Sequence, residues 1–87
     1  MKIKKGFILR EVAGNYIVVS IGEMAKKFNG VINLNQTGAF MWKELEKGGD
    51  EEILTAALCA EYEVDKEIAN RDAKRFIETL SKAGIVE

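Results

Sequence analysis

The chain divides into a strand-forming third and a helix-forming remainder, and this division limits its fold more than any other feature. The first 34 residues contain three runs of β-branched and aromatic residues, at positions 7–12, 16–21 and 31–34. Ala13-Gly14-Asn15 joins the first two runs as a short turn, and a polar connection over residues 22–30 ends in the turn signal Asn29-Gly30. Three short strands in succession pair most simply as a meander. We therefore expect an antiparallel sheet with the third strand at one edge.

The rest of the chain predicts three helices. Asn35, or alternatively Thr37, can cap the first helix, which is expected over residues 36–47. Asp50 and Asp65 are expected to cap the second and third helices, which extend to about positions 62 and 83. The chain contains no proline to interrupt them. Because three strands need a helical layer over their apolar face, we predict an α+β fold similar in content to winged-helix modules.

Length and composition favour a single domain over residues 1–87. Of these residues 47% are hydrophobic and 8% aromatic, which is enough for one modest core. No apolar run approaches the ~20 residues of a membrane helix, and the N-terminus lacks the pattern of a signal peptide. The single cysteine, Cys59, cannot form an internal disulfide, so we interpret it as an inert thiol and expect a cytoplasmic location.

Composition also argues against catalysis by this chain. Histidine is absent, which removes the commonest general base and the commonest transition-metal ligand. One cysteine cannot build a thiolate zinc site, and the sequence has no glycine-rich phosphate-binding motif. We therefore predict a protein that is not an enzyme, with no catalytic residues, no metal site and no cofactor.

The third strand and the third helix are the candidate binding elements. An edge strand presents unpaired backbone groups to a partner peptide, and this strand has no charge or proline to discourage pairing. On a helical wheel, the third helix places a basic stripe beside a border of mixed residues. The candidate site residues are Val31, Ile32, Asn33 and Leu34 on the strand, and Ile68, Arg71, Asp72, Arg75 and Thr79 on the helix. Two alternatives stay open: a terminal segment covers the edge, or the helix face is merely solvated.

The large aromatic residues are interpreted mainly as core. Trp42, Tyr62 and Phe76 are expected to be buried between the helices and the sheet. Phe40 falls on the polar side of the first predicted helix. It is therefore either a partly exposed contact for a partner or covered by the connection over residues 22–30.

Several blocks of this sequence, in order and spacing, together resemble the PqqD-like family, whose fold is also called the RiPP precursor recognition element. The most specific block is Leu34-Asn35-x-Thr37-Gly38-x-x-x-Trp42. Gly6-Phe-Ile-Leu-Arg-Glu-Val-Ala-Gly14 precedes it, and Tyr62-x-Val64-Asp65 follows it. The resemblance covers nearly the whole chain.

The resemblance implies a winged-helix-like fold, in which a three-stranded antiparallel sheet is followed by three helices. It also implies a non-catalytic protein that binds the leader segment of a ribosomally made precursor peptide. In such families the leader adds as a strand beside strand 3 and lies against helix 3, and a modifying enzyme, often a radical SAM protein, acts on the precursor. Strand 3 and helix 3 are the two elements that carry the candidate site residues. Since the chain starts at Met1 and stops soon after Gly84, we expect it to be free-standing.

Two other functions stay open. A winged-helix DNA-binding regulator would place the third helix in the major groove, but the chain has 13 basic and 14 acidic residues and lacks the basic excess typical of such proteins. A structural subunit would only steady an enzyme, or form a homodimer by pairing two copies of the edge strand. We expect no membrane partner and regard nucleic acid as the weaker alternative.

Overall fold

The computed structural model describes residues 2–27 and 30–86, and its sheet follows the predicted order. The strands are β1 (Phe7–Val12), β2 (Asn15–Ser20) and β3 (Val31–Leu34). They form one antiparallel sheet in the order β1-β2-β3, so β3 lies at an edge as predicted. The second strand is shifted by one residue from the prediction and ends at Ser20 rather than at Ile21. Asn29, part of the predicted second turn, lies outside the described residues.

Three long helices follow the sheet, as predicted, and one short helix lies between β2 and β3. In the described part of the chain they are α1 (Met24–Lys27), α2 (Gln36–Glu46), α3 (Glu51–Tyr62) and α4 (Lys66–Lys82). The last three are the predicted helices, and the α+β class is confirmed. The single turn α1 lies in the connection that was predicted as irregular, because four residues are too few to show a helical period.

A glycine allows α1 to lie close to the start of β1. Gly6 has φ of +100°, and a Cβ atom built on it would lie 2.7 Å from Cβ of Met24. A side chain at this position would therefore force the two segments apart and would strain the backbone. The fold consequently needs glycine at position 6.

The predicted caps are correct for two of the three long helices. The Asn35 side chain accepts a hydrogen bond from the Gly38 amide at 2.7 Å, and Asp50 accepts one from the Ile53 amide at 2.9 Å. Asp65 occupies the cap position of α4, but its side chain accepts no capping hydrogen bond. The start of α4 consequently depends on packing more than on its cap.

The core lies between the inner face of the sheet and the three long helices. Its most completely buried large side chains are Val18, Trp42, Leu45, Leu54, Leu80 and Ile85. Trp42 and Phe76 are buried as predicted, but Tyr62 is 37% exposed, so the prediction for Tyr62 is wrong. The Tyr62 ring packs edge-on against half-buried Phe40, with the ring centroids 5.5 Å apart. The last residue of α3 thus covers part of Phe40 at the surface.

The two ends of the described chain pair with each other. Ile3 and Val86 form an isolated antiparallel bridge, and the Lys4 amide donates to the Ile85 carbonyl at 2.8 Å. Ile85 is fully buried, so the chain returns to the core after α4. Within residues 2–27 and 30–86, neither terminal segment pairs with the edge of β3. No helix in those residues is long and apolar enough to cross a membrane.

Candidate binding groove

The pairing of β1 with β2 fixes the direction of the backbone groups across the sheet. The Ile21 amide donates to the Gly6 carbonyl at 2.7 Å, and these two residues continue the register of the β1–β2 ladder. Directly opposed residues that exchange hydrogen bonds alternate with residues that do not. Odd-numbered residues of β2 therefore turn their backbone groups toward β1, and its even-numbered residues turn theirs toward β3.

The same alternation leaves two residues of β3 facing outward. Tyr16 lies opposite Leu34, and Val18 lies opposite Ile32. Because Tyr16 and Val18 turn toward β3, the backbone groups of Ile32 and Leu34 are used inside the sheet. The backbone amide and carbonyl groups of the alternate residues, Val31 and Asn33, point away from β2. In the described residues no further strand pairs with this edge.

A groove of about 440 Å³ lies between β3 and α4. Its β3 wall is formed by Ile32, Asn33 and Leu34, and its α4 wall includes Asp72, Arg75 and Thr79. The other lining residues come from the start of α2 and from the buried face of α4: Asn35, Thr37, Gly38, Met41, Phe76 and Leu80. Because Met41, Phe76 and Leu80 belong to the core, the floor of the groove is apolar.

Gly38 sets the close approach of α2 to the end of β3. A Cβ atom on Gly38 would lie 3.3 Å from Cβ of Leu34 and 3.2 Å from Oδ1 of Asn35. The missing side chain therefore leaves room for the capping hydrogen bond and for the Leu34 side chain together. This contact holds one end of the groove in place.

The cations of α4 differ in whether a carboxylate already compensates them. Lys82 Nζ lies 3.2 Å from Glu78 Oε1, and Arg71 Nε lies 3.8 Å from Asp72 Oδ1. Arg75 forms no ion pair with any residue of the described chain, although it is exposed and lines the groove. Arg75 is consequently the uncompensated positive charge at the groove.

The structure brings together six of the nine candidate residues. Three others do not line the groove: Val31 is 55% exposed, Ile68 is 41% exposed, and Arg71 lies with Lys74 on the outer surface of α4. Their role in binding stays a prediction. Phe76, which the sequence predicts as core, and Leu80 also form part of the groove floor. Their spacing of four and eight residues from Asp72 already placed them on the same helix face.

Together these features define a class of small α+β domain, in which a free strand edge borders an apolar groove beneath a helix. The family model for PqqD, the coenzyme PQQ synthesis protein D, matches residues 7–86. The chain belongs to this family. A comparison with curated proteins found no significant match.

Two solved structures share the fold over almost its full length. One is described as TbiB1 in complex with the TbiA(beta) leader peptide, and it is 25% identical with a TM-score of 0.80. The alignment covers 100% of this chain and 95% of that one. The other is a lasso peptide synthetase B1 complexed with the leader peptide, 20% identical with a TM-score of 0.78, covering 99% and 95% of the two chains.

Proposed function

We propose that this protein is a non-catalytic peptide-binding protein, which binds the leader of a ribosomally made precursor by strand addition at β3 and holds it against α4. The observation that carries the proposal is the outward-facing backbone of Val31 and Asn33 beside an apolar groove. The family and the two structurally similar leader-peptide complexes support it. The added strand would extend the sheet to four strands.

The affinity comes from backbone pairing and apolar burial together. Val31 and Asn33 each offer one donor and one acceptor, so an added strand gains up to four hydrogen bonds of about 1 kcal/mol each. A disordered leader loses conformational freedom when it binds, and this loss offsets much of that gain. Contact with the groove floor must supply the remainder. We expect moderate affinity.

The protein acts by presentation rather than by chemistry. Holding the leader raises the effective concentration of the rest of the precursor at a modifying enzyme, which performs the reaction. We infer a radical SAM protein as that enzyme from the resemblance in the sequence, and a cytoplasmic setting from the lone thiol of Cys59.

Isothermal titration tests the proposal. The titrant is a synthetic leader from a short open reading frame beside the gene, and random duplex DNA is titrated in parallel. Saturable binding of one leader per protein, without DNA binding, supports the proposal. DNA binding that weakens steeply with salt, without leader binding, favours the regulator instead.

A second copy of the chain is the competing occupant of the edge. Two β3 edges can pair across a two-fold axis and use the same backbone groups as a leader. Sedimentation over a range of protein concentrations, with and without leader, separates the two occupants. If a homodimer occupies the edge, leader binding dissociates it.

A further inference from the structure

We propose that the groove selects a leader segment with apolar side chains at every second position and a carboxylate on the same face, which Arg75 binds. The inference rests on the proposed strand addition and specifies which peptides the groove accepts. It comes from three features of the structure: the register of β3, the composition of the groove floor and the uncompensated charge of Arg75.

The register of β3 assigns alternate positions of an added strand to the groove. Side chains of paired strands point to the same face where residues lie opposite each other. Ile32 and Leu34 are half-buried and line the groove, whereas Val31 is 55% exposed and does not line it. Peptide residues opposite Ile32 and Leu34 therefore face the groove. The residues between them face solvent and are weakly selected.

The composition of the floor requires apolar side chains at these positions. Met41, Phe76 and Leu80 are all less than 10% exposed and form the base of the groove. An uncharged polar side chain placed against them would lose its water without gaining a hydrogen-bond partner there. Apolar side chains at the two groove-facing positions avoid this loss and bury additional apolar area.

Arg75 adds the charged element. It lines both the groove and the outer surface of α4, where no carboxylate of the described chain pairs with it. Asp72 in the same wall lies 3.8 Å from Arg71, which lies outside the groove. A guanidinium group donates two parallel hydrogen bonds to a carboxylate. An Asp or Glu at a further position of the added strand, in phase with the two apolar residues, is therefore the preferred partner of Arg75.

A random library of displayed peptides tests this without knowledge of the natural leader. The library is selected against the wild-type protein and against the Arg75→Glu, Arg75→Gln and Lys74→Glu variants. Lys74 is the matched control, because it is the neighbouring exposed cation of α4 and does not line the groove. Circular dichroism melting first establishes that each variant is folded.

The wild-type protein is expected to enrich peptides with alternating apolar residues and one Asp or Glu in phase with them. Arg75→Gln should lose the acidic preference, Arg75→Glu should replace it by Lys or Arg, and Lys74→Glu should retain it. For an enriched peptide, Arg75→Glu should raise the dissociation constant about fivefold or more, and a Glu-to-Lys change in the peptide should reverse the loss.

Two results overturn the inference in distinguishable ways. If enriched peptides alternate but carry no acidic residue, or if Lys74→Glu changes the preference as Arg75→Glu does, Arg75 does not select the leader although strand addition stands. If an Asn33→Pro variant enriches the same peptides as the wild-type protein, strand addition at β3 fails, and the inference fails with it.

Discussion

Replacement of Asn33 by proline is the most direct perturbation of the proposed binding mode. The Asn33 amide points away from β2, so proline removes a donor that an added strand would use and leaves the β2–β3 hydrogen bonds in place. The leader loses one backbone hydrogen bond, and the leader carbonyl that would accept it is left without a donor. Together these effects cost about 1–3 kcal/mol in binding. The dissociation constant for the leader should therefore rise by a factor of about 5 to about 150.

Two further variants separate this effect from its alternatives. Asn33→Ala keeps the backbone donor and removes only an exposed side chain, so its affinity should stay within about 0.5 kcal/mol of the wild-type value. Ile32→Pro removes a donor that points toward Val18 within the sheet. It should lower the free energy of unfolding by about 1–3 kcal/mol, and any loss of binding would then reflect damage to the fold.

The assay combines isothermal titration of the leader with thermal unfolding of each variant. The expected pattern is weak binding by a stable Asn33→Pro protein, normal binding by Asn33→Ala, and a lowered melting temperature for Ile32→Pro. The reasoning is refuted if Asn33→Pro is folded and binds the leader as tightly as the wild-type protein. Equal losses for Asn33→Pro and Asn33→Ala would instead assign the effect to the side-chain amide.

Asp50→Ala should lower the free energy of unfolding by about 1 kcal/mol in urea denaturation, because it removes a side-chain cap; Asp65→Ala should cost less, because its side chain makes no such bond. Equal costs would contradict this reading of the caps. Asn70→Ala should cost about 1–2 kcal/mol, because its Nδ2 atom lies 3.2 Å from both Glu51 Oε2 and Thr55 Oγ1 on α3. Leader titration should be unchanged by Asn70→Ala, and a large loss of affinity would place the α3–α4 contact within the binding site.

The parts of the fold that could be predicted from the sequence depend on local signals. The strand runs and the caps at Asn35 and Asp50 are determined by residues close in the chain. The exposure of Tyr62 could not be predicted in this way. It is the last residue of α3, and its environment depends on where Phe40 of another helix lies.

In the candidate site, too, local signals predict the elements, whereas tertiary contacts determine which groups are available for binding. Chain order alone placed β3 at an edge, and the helical wheel alone placed Asp72, Arg75 and Thr79 on one side of α4. Which backbone groups point outward depends on the register with β2. The charge available in the groove depends on which cations already have a partner, and the wheel does not distinguish Arg75 from Lys82.

The residues of the groove floor are also core residues, so their substitution affects the stability of the fold. The residues of the groove rim are exposed and are free of this constraint. Phe76 and Leu80 are 9% and 1% exposed, so truncating either to alanine would cost about 2–5 kcal/mol out of a total stability of about 5–15 kcal/mol. Arg75 and Thr79 are exposed, and substitutions there change stability little. A change of leader preference is therefore far less costly at the rim than at the floor. The requirement for alternating apolar residues should consequently persist among variants of this domain, while the preferred charge of the leader changes with position 75.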